Sequence, residues 1–181
     1  VPKTAGTTIG YSLKALFGED RLAIATTDND DLSAILPRLH SLDAIAGHVR
    51  YPVIRPHAPD AAFFAAVRDP IDRIVSNYFF VIRHRGIDPD IYRADLRRGF
   101  DVFYERIIRN EGRINLQSRF FADTALARDA AEVIRSAYAL VWSSERTSEA
   151  WTTMKRIILE RMGLDAGTEV PQVDRYVAPR S

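Results

Sequence analysis

The run Ala61-Ala62-Phe63-Phe64-Ala65-Ala66-Val67 contains no polar residue, and this limits the fold more than any other stretch. A strand with one wet face alternates apolar and polar side chains, whereas an unbroken apolar run suits a strand covered on both faces. Strand-length runs recur at 21–26, 43–48 and 139–142. Stripes with helical period separate them: Ile9, Leu13, Leu16 and Phe17; Leu32, Ile35, Leu36 and Leu39, interrupted at Pro37; and Ile71, Ile74, Val75, Tyr78, Phe79 and Ile82. In the third stripe Arg73, Ser76 and Phe80 are assigned to the opposite face. Helical patterns follow over 100–108, 114–121 and 126–137, and a last helix carries Trp151, Met154, Ile157, Ile158 and Met162, with Gly163 as its stop. The proline-bearing segment 51–60 and the tail 170–181 read as irregular, and the polar stretch 83–99 as a surface excursion. Strands alternating with helices predict an α/β fold, a mainly parallel sheet flanked by helices.

With 181 residues the chain suits one domain, 1–181. A net charge of +1 gives no global field toward nucleic acid or membrane. The chain has no Cys, which removes disulfides and thiolate metal sites and fits a reducing, cytoplasmic setting. No apolar run reaches the roughly 18–20 residues of a membrane span.

Chemistry is concentrated in two places. Val1-Pro2-Lys3-Thr4-Ala5-Gly6-Thr7-Thr8 leads directly into the first helical stripe. Small residues there let an anion approach the unpaired N–H groups of a helix start, and Lys3 with the Thr hydroxyls adds donors. The run reads as a phosphate cradle or, more plainly, as a loop-to-helix junction. It differs from GxxxxGK[ST], because Lys3 precedes the glycine. The second place is Arg68-Asp69-Pro70-Ile71-Asp72-Arg73-Ile74-Val75-Ser76-Asn77-Tyr78. Asp69 is the expected N-cap with Pro70 at the first helical position. Arg68 and Ser76 can hold one phosphate between a guanidinium and a hydroxyl; the alternative is a sheet-edge Arg and an idle helix Ser. In a parallel sheet, ligands sit beyond the strands' carboxyl ends, where Lys3, the Gly47-His48 turn and Arg68 are expected to converge.

PKTAGTT resembles the 5′-phosphosulfate loop of sulfotransferases that use 3′-phosphoadenosine 5′-phosphosulfate (PAPS). Arg68 to Tyr78 resembles their 3′-phosphate motif, RxPxxRxxSxY, in the same order along the chain. Gly47-His48-Val49 is similar to a segment of the branch containing heparan sulfate 2-O-sulfotransferases, uronyl sulfotransferases and bacterial relatives. Members that sulfate uronic acids often show His-Gly-His, where this chain has Ala46-Gly47-His48. Asn115-Leu116-Gln117-Ser118-Arg119 looks like an Asn-x-Gln-x-Arg segment of some members, and reads here as core packing. Glu145-Arg146 and Pro171-Gln172-Val173-Asp174 are similar to the family's closing pattern.

The resemblance implies a P-loop NTPase-like sulfotransferase fold. Its central strand precedes the loop, and with only Val1-Pro2 ahead of Lys3 that strand is expected to be missing from the chain. It implies PAPS as cofactor and adenosine 3′,5′-bisphosphate as product. His48 is then the catalytic base and Lys3 the stabiliser of the leaving oxygen. Lys3, Thr4, Ala5, Gly6, Thr7 and Thr8 bind the 5′-phosphosulfate; Arg68 and Ser76 bind the 3′-phosphate. The acceptor is a hydroxyl of a small molecule or saccharide, and no metal is implied. The rivals are a P-loop nucleotide or small-molecule kinase and a non-catalytic phosphonucleotide-binding relative. Arg83, Arg85, Arg93, Arg97 and Arg98 read either as contacts for an anionic saccharide or as a solvated loop paired with Asp88, Asp90 and Asp95. Nothing in the sequence sets the oligomeric state.

Overall fold

The computed structural model describes residues 6–25, 30–83, 99–110, 115–165 and 167–168. Its first helix, α1 (Gly6–Phe17), is followed by strand β1 (Leu22–Ala25), then α2 (Asp30–Ile35) and a 3-10 turn (Leu36–Ser41). Pro37 lies in that turn, where the missing N–H ends the α-helical ladder. Strand β2 (Ala44–Gly47) leads to α3 (Tyr51–Ile54), a 3-10 turn (Arg55–His57) and strand β3 (Phe63–Val67). Next come α4 (Pro70–Arg83), α5 (Phe100–Phe103) with a π-helical turn (Tyr104–Asn110), α6 (Leu116–Phe121) and α7 (Ala127–Ala137). Strand β4 (Tyr138–Ser143), a 3-10 turn (Ser144–Arg146) and α8 (Thr147–Arg161) complete the order.

The α/β class with parallel strands is as expected. β1 pairs with β2 from Leu22↔Ala44 to Ala25↔Gly47. β3 pairs with β4 from Phe63↔Tyr138 to Val67↔Ser143, with a register shift between Phe63 and Phe64. Both pairs are parallel, so each needs a helical crossover, and the elements between the paired strands supply it. Among the described residues β2 and β3 do not pair with each other. One apolar cluster spans the two pairs: Ile9 and Leu13 of α1, Leu22, and Trp151 and Met154 of α8, packed against Ala44, Ala46, Phe64, Leu140 and Trp142. Ala23, Ala25 and Ile35 form a second cluster with Leu42, Ile45 and Val49. Each face of the β1–β2 pair thus carries a cluster, although Ile24 of β1 is 51% exposed.

The apolar run at 61–67 departs from expectation. Of β3, only Ala66 is buried; Phe63, Phe64, Ala65 and Val67 are half-buried, and Phe63 to Ala66 line an open cleft. Segment 51–60 is also more ordered than three prolines suggested. Pro52 and Pro56 fall in first-turn positions of α3 and the 3-10 turn, where no N–H is needed.

Helix α8 stops as its sequence predicts. Gly163 takes φ 69°, its N–H reaches the Glu160 carbonyl at 3.1 Å, and Leu164 N–H reaches that of Leu159 at 2.9 Å. Trp151 and Met154 of the predicted stripe are buried, while Met162, beyond the helix, is exposed.

Met154 is 2% exposed and packs where both strand pairs meet. Met154→Ala is expected to lower unfolding stability by about 2–5 kcal/mol, read as a fall in the denaturant midpoint at unchanged slope. A midpoint equal to that of the parent protein would show that this cluster does not join the halves.

Candidate active site

β2 ends on Gly47, whose φ is 119°. A Cβ there would stand 1.9 Å from the Ala25 carbonyl oxygen, so only glycine fits. The same oxygen accepts a hydrogen bond from the His48 N–H at 2.8 Å. Close approach of β1 thus fixes the residue that follows β2. His48 is half-buried and lines the cleft.

Two residues on, Arg50 precedes α3 with an extended backbone. Its Nε donates to the Arg119 carbonyl at 3.3 Å, and its guanidinium pairs with the Asp123 carboxylate. The turn after β2 is therefore tied to the C-terminal end of α6, where a cation is favoured by the helix dipole.

Beyond β3 the chain turns at Arg68. Asp69 then caps α4 as its sequence suggests: Oδ1 accepts from the N–H groups of Ile71 at 2.9 Å and Asp72 at 3.1 Å. Gln117 of α6 meets the main chain of Arg68 with both ends of its amide. Arg68 N–H donates to Oε1 at 2.9 Å, and Nε2 donates to the Arg68 carbonyl at 2.7 Å. The Arg68 side chain is less completely matched. Its Nε lies 3.8 Å from Glu145 Oε1, too far for a hydrogen bond, and it is buried without a hydrogen-bond partner.

The cleft measures about 1790 Å³, above the roughly 300–1,000 Å³ of common small-molecule sites. Its polar lining includes His48, Arg68, Ser76 and Asn77, and Gly10 of α1 borders it too. Apolar side chains of β2 and β3, Ile45 and Phe64 among them, form other parts of the wall. Beneath α3 an aromatic group joins neighbouring elements: Tyr51 contacts Phe63 at 4.9 Å and Tyr138 at 5.6 Å, and Phe121 contacts Tyr138 at 5.2 Å. Burial pushes the Tyr138 phenol well above its ordinary pKa, with the nearby Tyr51 adding to the shift. Ionisation of this ring is thus excluded from physiological chemistry.

A model of the sulfotransferase family matches residues 1–178. The chain belongs to the sulfotransferase family. Neither a curated protein nor a solved structure matches it.

In this sulfotransferase the expected site residues divide into two groups. His48, Arg68 and Ser76 line one cleft. Gly6, Thr7 and Thr8 form the first turn of α1, while Lys3, Thr4 and Ala5 lie outside the described residues. Arg85, Arg93, Arg97 and Arg98, with Asp88, Asp90 and Asp95, also lie outside them, as does Pro171 to Asp174. His40 and His57 border the cleft from exposed positions, whereas His48 directly follows a strand. Among the described residues no group of three or more His, Asp or Glu is placed to hold a metal, and no helix is long and apolar enough to cross a membrane.

The face assignment of α4 needs correction. Arg73 is only 3% exposed, whereas Ile71 is 72% and Phe79 48% exposed. Ile74 and Tyr78 pack on Phe103 and Ile108 as expected. Of the face opposite the apolar stripe, Ser76 and Phe80 line the cleft, while Arg73 is buried. An apolar stripe along one helix does not distinguish a cleft wall from a core contact.

Sequence reasoning also missed Gln117 and Glu145 as neighbours of Arg68. Gln117 lay in a run assigned to core packing, yet it is a half-buried polar group with two main-chain partners. Its signal was present in the Asn115–Arg119 pattern, but no spacing rule linked that run to Arg68.

Gly47→Ala must move β1, β2 or both, and is expected to destabilise the protein by about 2 kcal/mol or more. Equilibrium denaturation would read this directly. An unchanged midpoint would mean that the Ala25–Gly47 contact does not govern the start of the His48 turn.

Proposed function

We propose that this sulfotransferase moves a sulfuryl group from PAPS to an acceptor hydroxyl. The reading is carried by the meeting of His48, Arg68 and Ser76 on one cleft, although they come from three separate stretches of the chain. The half-buried Arg68 side chain on the cleft wall, not hydrogen-bonded to Glu145 through its Nε, supports an anionic ligand there. The 3′-phosphate suits this position, with the Ser76 hydroxyl as a second donor. Lys3, Thr4, Ala5, Gly6, Thr7 and Thr8 are assigned to the 5′-phosphosulfate from their order ahead of α1, whose N-terminal end favours anions.

When bound, PAPS supplies a sulfuryl group already activated by its link to phosphate. His48, as neutral imidazole, takes the proton of the acceptor hydroxyl while that oxygen attacks. Lys3 holds the negative charge that develops on the departing phosphate oxygen. The residues of both phosphate sites then act chiefly by fixing the line of attack. Gly47-His48-Val49 favours the branch containing heparan sulfate 2-O- and uronyl sulfotransferases and their bacterial relatives, and with it a carbohydrate hydroxyl as acceptor. Ala46, standing where uronic-acid enzymes often carry His, favours a different sugar position or unit.

Titration calorimetry separates this reading from its rivals. Adenosine 3′,5′-bisphosphate is expected to bind more tightly than ATP, with or without magnesium; magnesium-dependent ATP binding would favour a kinase. With radiolabelled PAPS and an acceptor that is turned over, His48→Ala is expected to reduce turnover by about 10²–10⁴-fold with bisphosphate affinity nearly intact. An undiminished rate would remove His48 as base. Bisphosphate binding without transfer to any acceptor would mark a non-catalytic relative. Arg68→Ala is expected to weaken bisphosphate binding, and equal affinity would remove the 3′-phosphate assignment.

A further inference from the structure

We propose that Gln117 is a positioning residue for Arg68, fixing that arginine's main chain so that its guanidinium is held ready for the 3′-phosphate. The inference rests on the functional reading of Arg68 above and extends it to a residue on another element.

Three observations meet here. First, the amide of Gln117 closes a two-point contact with one residue, donating to the Arg68 carbonyl and accepting from the Arg68 N–H at 2.7 and 2.9 Å. A glutamine amide reproduces in this way what a neighbouring strand would offer, and it does so at the residue where β3 has ended and α4 has not begun. Both main-chain groups would otherwise lack these partners in a half-buried setting, at a cost comparable to a lost hydrogen bond for each.

Second, the element that carries Gln117 is firmly seated. Phe120 and Phe121 of α6 are buried, and Phe121 packs edge-on against Tyr138 of β4. Asn115, immediately before α6, takes a left-handed conformation with φ 55°, which Asn tolerates better than most residues. Arg50 ties the same helix to the turn that bears His48, through the Arg119 carbonyl and Asp123. Gln117 therefore acts from a fixed point shared by both walls of the cleft.

Third, the Arg68 side chain is loosely paired with a competing anion, at ion-pair but not hydrogen-bond distance. Glu145 Oε1 is 3.8 Å from Nε, while Glu145 also accepts from the Ser144 hydroxyl at 3.0 Å and from that of Ser143. A shift of about 1 Å in the Arg68 main chain would bring the pair within hydrogen-bond distance, and so withdraw the guanidinium from the cleft. The Gln117 contact opposes that shift. A glutamine that merely filled space would need neither of its two bonds to this backbone.

The test compares ligands that differ by one phosphate. Dissociation constants for adenosine 3′,5′-bisphosphate and adenosine 5′-phosphate are measured by calorimetry on the full chain and on Gln117→Met, similar in length but without the amide. Gln117→Glu, which keeps an acceptor for the Arg68 N–H, serves as the second variant, and circular dichroism checks folding of each. The expected result in Gln117→Met is an approximately tenfold loss of bisphosphate affinity, equivalent to about 1.4 kcal/mol, with 5′-phosphate affinity unchanged. In the Arg68→Ala background, the same Gln117 substitution is expected to have no further effect on bisphosphate binding, because its influence runs through Arg68. Equal weakening toward both ligands, or an undiminished effect in the Arg68→Ala background, would overturn the positioning role. If the parent protein itself binds the two ligands equally, the 3′-phosphate assignment fails first, and the inference with it.

Discussion

β1 with β2, and β3 with β4, are parallel pairs only two strands wide among the described residues, and a pair of that width is at best marginal alone. What holds them as one body is the cluster contributed by α1 and α8. Ile9, Leu13, Trp151 and Met154 belong to one cluster, against which side chains of both pairs pack. Apolar burial of this kind has no directional preference, so it can hold the two pairs together without β2 pairing to β3.

Onto that frame the chain attaches its polar groups through close, specific contacts. Gly47 lets β1 approach until the Ala25 carbonyl lies against the backbone, and His48 follows immediately. Asp69 ends one element and starts the next, so that Arg68 stands at a corner with little freedom. α6 braces both walls, meeting the corner after β3 through Gln117 and the turn after β2 through Arg50. A short helix is effective in this role because Phe120 and Phe121 bury its other side.

Electrostatics in the cleft follow from incomplete pairing. Glu145 Oε1 lies 3.8 Å from Arg68 Nε without a hydrogen bond, which partly balances the guanidinium. Full pairing would be more favourable for the empty protein and less so for binding an anion, since the existing pair would first have to open. Arg50, which follows the His48 turn, is committed elsewhere, held by Asp123 and the Arg119 carbonyl.

Much of this was legible in the amino-acid sequence. Apolar runs and helical stripes determine an alternating α/β order, because their periods of two and 3.6 residues follow from backbone geometry alone. Asp69-Pro70 specifies a helix start, and Gly163 a helix stop, through interactions that span a few residues. Arg68 and Ser76 stand out as a possible phosphate pair within one short motif, whereas His48 is singled out only by the resemblance of Gly47-His48-Val49 to a family segment. Tertiary structure alone decided which side of α4 faces the cleft, leaving Ile71 exposed and Arg73 buried. It alone brought Gln117 and Glu145 to Arg68, since those contacts join residues far apart in the chain and depend on where α6 and β4 come to rest. Short-range chemistry is written in neighbouring letters; the partners of a corner residue are settled only when distant elements pack.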